Sequence, residues 1–279
     1  MACRYRDKIN VKLKMESGKC EADSIFHFPF SAMLLAIDIG NSSIKFGVFD
    51  GETLHSKFSI PTTRGLTVDD LKFAIGRSLD LSISSAIACS VVPELDSPMS
   101  TFLKTALGVD AFFVTSDFRF GLTIKYEPLE AAGTDRLVNS FAAAEKYGVP
   151  CIVCSFGTAT TIDVVNENRE LLGGLIAPGM ATMAKALHLN TAKLPEVEIR
   201  SLDSVISHTT ETSIQSGIFY SQIGLIESAV SRIKKEIGDG PKVVATGGFA
   251  SMIAESTSVI DVVDENLLLD GLRMLYSRM

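Results

Sequence analysis

MLLAIDIGNSSIKFGVFDG, residues 33–51, reads as two strands about a polar turn. Met33–Ile39 is an apolar run leading into Asp38-Ile39-Gly40-Asn41, and Ile44–Phe49 is a second run. Asp50-Gly51 is a hairpin signal, followed by a third strand at Leu54–Ile60. The opening is therefore an antiparallel meander. CIVCSFGTATTIDVV, residues 151–165, repeats the plan, with strands at 151–155 and 159–165 about a Gly157-Thr158 turn and a third at 171–177.

Outward from these two stretches the pattern alternates. Helical spacing covers Val68–Ser78, Ser97–Leu107 and Ala131–Tyr147, with strands at Ile83–Val92 and Ala111–Val114. In the second half, Pro178 opens a helix to about Leu187, and Thr210–Lys235 holds one or two more. Val243–Ala245 is a strand, followed by helix 249–255, strand 258–263 and a closing helix at 266–278. Two similar α/β halves with a cleft between them are the economical reading, divided as 33–148 and 149–279.

The 279 residues are 46% hydrophobic and 21% charged, as in an ordinary soluble globular protein. A net charge of −7 without a basic block argues against nucleic acid as the main partner. No apolar run approaches the roughly 20 residues that span a membrane. Five cysteines, an odd number, make no disulfide framework and point to a reducing, cytoplasmic setting. Cys151 and Cys154 form a CxxC, but inside an apolar β-prone run, so they read as buried strand cysteines. Residues 1–32 lack periodicity and a signal-peptide pattern. They read as a loosely packed extension or as sequence upstream of a natural start at Met33. Acidic Asp7, Glu16, Glu21 and Asp23 weaken a transit-peptide reading.

Three stretches carry chemistry. In Asp38–Ser43, Gly40 admits close approach of backbone N–H groups to a ligand, and Asn41, Ser42 and Ser43 add neutral hydrogen-bonding groups. Asp38 suits Mg²⁺, and Lys45 suits a phosphate. A polar turn in which Asp38 caps its own backbone would look the same. Gly157–Thr161 repeats the logic, so two such turns facing each other would clamp a polyphosphate; a Thr-rich strand is the plainer reading. Thr246-Gly247-Gly248 lies between strand and helix, where backbone packs against an adenine or ribose or simply turns. Neither GxGxxG nor GxxxxGK[ST] is present. In Gly133–Arg136, at a helix start, Asp135 serves as a base or a cap, and Arg136 grips a carboxylate.

The order DIGNSSIKFGVF, YEPLEAAGTDRLVNSFAA, FGTATTID, GGLIAPGM, LHLNTAKLP, TTETSIQSGI and VVATGGFA resembles the type III pantothenate kinases over nearly all of Met33–Met279. That family belongs with acetate and sugar kinases and actin. The resemblance implies an α/β fold of two ribonuclease-H-like domains, as in the actin-like ATPases, with mixed central sheets and an ATP cleft between them. It implies a homodimer that phosphorylates the 4′-hydroxyl of pantothenate with ATP, the first step towards coenzyme A. ATP phosphates would lie at Asp38, Ile39, Gly40, Asn41, Ser42, Ser43, Ile44 and Lys45, with Thr158 also touching ATP. Asp135 would be the general base. Tyr126, Gly133, Thr134, Asp135 and Arg136 would contact pantothenate, with Thr210 supplied by the partner subunit.

The family also uses Mg²⁺ and a monovalent cation, K⁺ or NH4⁺. Where its pattern carries Asp for that cation, this chain has Ser155, a hydroxyl without charge. The expectation is a working kinase with altered cation dependence, with Asp163 as a further cation ligand from the next strand. Two other classes fit the same residues: a catalytically weak ATP-binding or regulatory member, and a kinase of another small alcohol.

Overall fold

The first strand, β1 (Met33–Ile39), is apolar on both sides, as a strand buried on both faces must be. Leu34 and Ala36 face one core, and Leu35, Ile37 and Ile39 face another. By the same alternation, Asp38 joins the Leu34–Ala36 side. The computed structural model describes residues 33–76, 79, 83–238 and 240–279. The expectations for residues 1–32 lie outside the described residues, as does the expected end of the first helix at Ser78.

The chain continues through β2 (Ser43–Asp50), β3 (Thr53–Pro61), α1 (Val68–Ile75), β4 (Ile83–Ser90), α2 (Asp96–Leu107) and β5 (Ala111–Phe113). These strands form one sheet in the order β3-β2-β1-β4-β5. The first three are antiparallel neighbours; β4 and β5 are parallel to β1. Next come β6 (Thr123–Ile124), α3 (Thr134–Tyr147), β7 (Cys151–Phe156), β8 (Ala159–Val165), β9 (Glu170–Pro178), α4 (Met180–Leu189), α5 (Thr210–Ile237), β10 (Lys242–Thr246), α6 (Ala250–Ala254), β11 (Val262–Val263) and α7 (Leu267–Tyr276). The second sheet has the order β11-β10-β7-β8-β9-β6. With β6 set aside, β7 to β11 repeat the order and directions of β1 to β5. The molecule is thus the expected α/β fold of two mixed, ribonuclease-H-like sheets.

Three cores separate the layers. Leu71, Met99, Phe102 and Leu103 of α1 and α2 cover the outer face of the first sheet. Ile214, Ile218, Phe219 and Ile226 of α5 cover the outer face of the second, with α4 and α6 beside them. Between the sheets lies a third core, built from Leu137, Val138 and Phe141 of α3 and Leu267, Leu269, Leu272 and Leu275 of α7. Gly271 lets α7 approach α3, because a Cβ there would stand 2.8 Å from Val138.

Three expectations need correction. Pro178 ends β9 instead of opening a helix. It pairs with Ala159 at the edge of the ladder, where a missing N–H costs little. The strand expected at 258–263 shrinks to Val262–Val263, because the Asp261 carboxylate accepts the Val243 N–H at 2.7 Å in place of a backbone carbonyl. The helix expected from Ala131 begins at Thr134, after a separate 3-10 turn at Leu129–Ala131. Cys151 and Cys154 are the buried strand cysteines expected, pointing into different cores, with burial pushing both thiols up to about 12.

Candidate active site

Strand alternation aims the polar residues. Where β1 and β7 end, Asp38 and Ser155 both turn toward the space between the sheets. They occupy matching places in the two meanders, Asp38 paired with Lys45 on β2 and Ser155 with Thr161 on β8. A cleft of about 770 Å³ opens there, within the ordinary range for small-molecule sites. Asp38, Gly40, Asn41, Ser42, Ser43, Lys45, Asp135, Arg136, Ser155 and Thr158 all line it, as do Thr246, Gly247 and Gly248.

The two turns meet across this cleft, with Ser42 Oγ and Thr158 Oγ1 2.6 Å apart. Behind the second turn, the Thr158 carbonyl accepts from Gly179 N at 3.0 Å and Thr182 Oγ1 at 2.6 Å. Gly247 closes in from β10 with φ +95°, where a Cβ would lie 2.5 Å from the Phe156 carbonyl oxygen. Only glycine meets both requirements. The side chains of Ile39 and Ile44 are fully buried beneath the first turn, so they offer the cleft backbone alone.

Asp38 is 5% exposed, 3.3 Å from Lys45 Nζ and 3.8 Å from Cys89 Sγ. Burial raises its carboxyl above the ordinary range; Lys45 opposes this, and the charge of Asp135 adds to it. Asp135 sits in the first turn of α3, where its Oδ1 accepts the Arg136 N–H at 2.9 Å. Burial raises its carboxyl too, against the pull of that N–H and of the Arg136 charge. A Cβ at Gly133 would stand 2.6 Å from Asp135 Oδ1, so the glycine makes room for the carboxylate. Thr134 Oγ1 donates to the Ser90 carbonyl at 3.1 Å, tying the start of α3 to the end of β4.

Arg136 is 8% exposed and Asp163 3%. Arg136 donates from Nε to both Asp163 oxygens, at 3.1 and 3.2 Å, and from Nη2 to Oδ1 at 2.5 Å. Its guanidinium also lies over the Tyr126 ring, 5.1 Å from the centroid. This corrects the reading of Asp163 as a cation ligand: the carboxylate is spent on Arg136. Thr210 starts α5 and is not among the cleft residues. It lines a separate groove of about 670 Å³ with His208, Ser213, Leu187 and Ile214. Asn139, Thr182, Lys185, Glu265, Leu268 and Leu269 also line the cleft without having been singled out in the sequence. Asn139 alone carried a signal, four residues after Asp135 on one helix face.

A family model described as Type III pantothenate kinase matches residues 34–232. A Type III pantothenate kinase of Brevibacillus brevis is 42% identical over 253 residues, covering 88% of this chain and 99% of the relative. One of Geobacter sulfurreducens is 39% identical, again over 88% and 99%. Among solved structures, a conserved Baf family protein of Campylobacter jejuni superposes with a TM-score of 0.57 at 22% identity, covering 88% of this chain and 98% of that one, a likeness of fold.

Proposed function

The chain belongs to the type III pantothenate kinase family, and on that premise we propose how this ATP-dependent pantothenate kinase divides the work among its residues. The observation that carries the reading is the cleft itself, where two facing turns stand beside the half-buried Asp135 carboxylate. The reaction moves the ATP γ-phosphate to the 4′-hydroxyl of pantothenate.

Phosphoryl transfer needs positioning and charge neutralisation. The turn from Asp38 to Lys45 and the Thr158 hydroxyl hold the phosphates. The adenosine lies toward Thr246–Gly248. Asp135 takes the proton of the attacking hydroxyl, and its raised pKa brings it nearer the working pH, as suits a general base. Arg136, held by Asp163 and Tyr126, faces the pantothenate carboxylate with the rest of its guanidinium. Gly133 and Thr134 shape the start of α3 beneath the acceptor.

The buried Asp38 carboxylate, raised further by the charge of the half-buried Asp135, fits a divalent cation, and Asp38 is its holder. Mg²⁺, when bound, neutralises phosphate charge. The surroundings of Ser155 fit a monovalent cation poorly, since Ser155 and Thr161 are hydroxyls and Asp163 is occupied. Turnover therefore responds little to K⁺ or NH4⁺, and titrating K⁺ against a Tris background checks this. Steep K⁺ activation would refute it.

The halves 33–148 and 149–279 act as the two domains, with α7 returning to the first. The protein works as a cytoplasmic homodimer in which Thr210 reaches the partner's acceptor site, because in its own chain it lies outside the cleft. No helix among the described residues is long and apolar enough to cross a membrane. The primary test is ATP-dependent formation of 4′-phosphopantothenate by the wild type and by Asp135→Asn. The variant keeps ATP binding and loses about 10²–10⁴-fold in kcat. Undiminished turnover would remove Asp135 from the chemistry.

A further inference from the structure

Among the described residues, the buried side-chain polar atoms without a partner are Asp96 Oδ1, Asn139 Oδ1, Ser140 Oγ and Arg273 Nε. Of these residues, only Asn139 lines the cleft. It is 5% exposed, and a carboxamide oxygen kept so far from water without a donor is a standing cost to the fold. Such a cost is retained where another state of the molecule supplies the partner.

Helix geometry says where that partner comes from. Asn139 is four residues after Asp135 and three after Arg136 on α3, so its side chain neighbours both. Asp135 and Arg136 are adjacent in sequence and diverge. A ligand that places a hydroxyl at Asp135 and a carboxylate at Arg136 has to cross the third corner, Asn139. Pantothenate joins its two ends through a secondary hydroxyl and an amide N–H, both hydrogen-bond donors. The orphaned group is an acceptor.

We infer that Asn139 is a further acceptor-binding residue, taking a hydrogen bond from the middle of the pantothenate chain between the reacting hydroxyl and the carboxylate. The inference rests on the reading of Asp135 and Arg136 as the acceptor end of the cleft. It separates Asn139 from the phosphate-holding turns, so its loss should be felt by one substrate and not the other. It also separates binding from folding. An apolar side chain of similar size removes an unpaired polar group and should leave the fold as stable or more so.

The test uses the full chain as Asn139→Leu and Asn139→Ala, the second guarding against a leucine that fits badly. Steady-state kinetics with pantothenate and ATP are read beside thermal melting. The expected result is a pantothenate KM raised tenfold or more, an ATP KM within twofold of wild type, and a melting temperature for Asn139→Leu equal to or above wild type. Two acceptor analogues complete the cycle, one with the amide replaced by an ester and one lacking the secondary hydroxyl. One of them should lose at least tenfold in kcat/KM with the wild type and nothing further with Asn139→Leu. If the wild type phosphorylates pantothenate but both variants keep its KM within twofold, the inference fails and the kinase reading stands. If neither analogue's loss depends on Asn139, the inference fails as well. A wild type inactive on pantothenate would overturn both.

Discussion

At the scale of single residues, Asp135 is expensive to keep. A carboxyl whose folded pKa lies above its unfolded value contributes stability only below the unfolded value. That contribution is lost as pH rises through the folded one. Burial puts Asp135 in this class, so its ionised form costs the apo protein stability at neutral and higher pH. Asp135→Asn should therefore melt above wild type at pH 8, and the gap should close below roughly pH 4, the ordinary range of aspartate. Melting curves across pH check this. The acid limb of kcat/KM should also lie above that ordinary range in the wild type. Burial raises the Asp163 carboxyl as well, but here the Arg136 ion pair opposes it and decides what its loss does. Its removal leaves Arg136 buried and unpaired, so Asp163→Ala should lose about 3–5 kcal/mol in denaturant titrations.

At the scale of elements, glycines set the reach of the catalytic groups. Gly133→Ala would push a methyl into the Asp135 carboxylate while leaving α3 an acceptable helix. The expected outcome is a large fall in kcat with circular dichroism unchanged. The sequence was most legible at this scale. Both meanders and their turns are local patterns, and residues of the turns Asp38–Lys45 and Gly157–Thr158, with Asp135 and Arg136, line one cleft. Less legible were features made by distant partners. The Arg136–Asp163 fork joins residues 27 apart in sequence, on a helix and a strand. β6 is two residues long and exists only because β9 offers it an edge. Asp261 spends its side chain on a ladder position, which no β propensity reveals.

At the scale of the whole molecule, the repeated strand order accounts for the opposing turns. Each half brings the turn between its first two strands to the same end of its sheet, and the two sheets face each other across α3 and α7. The likeness is of order, not of residues: the place held by Asp38 in one half is held by Ser155 in the other. Leu189, Val205 and Ile206 stand exposed on the segments that form the groove around Thr210. In sedimentation, the wild type should run as two chains and Ile206→Asp as one. In the same variant, pantothenate KM should rise as the dimer is lost.

The last helix has one more consequence, which concerns the order of synthesis. α7 follows every other described element along the chain, yet it covers β1, which precedes them all. Leu34, Ala36 and Phe49 share their core with Leu267, Leu269, Leu272 and Leu275. The early sheet therefore waits, one face uncovered, until Leu267–Tyr276 has been synthesised. A nascent chain stopped short of Leu267 would expose that face to chaperones and proteases, so the arrival of α7 is read out by the packing of a strand made more than 200 residues earlier.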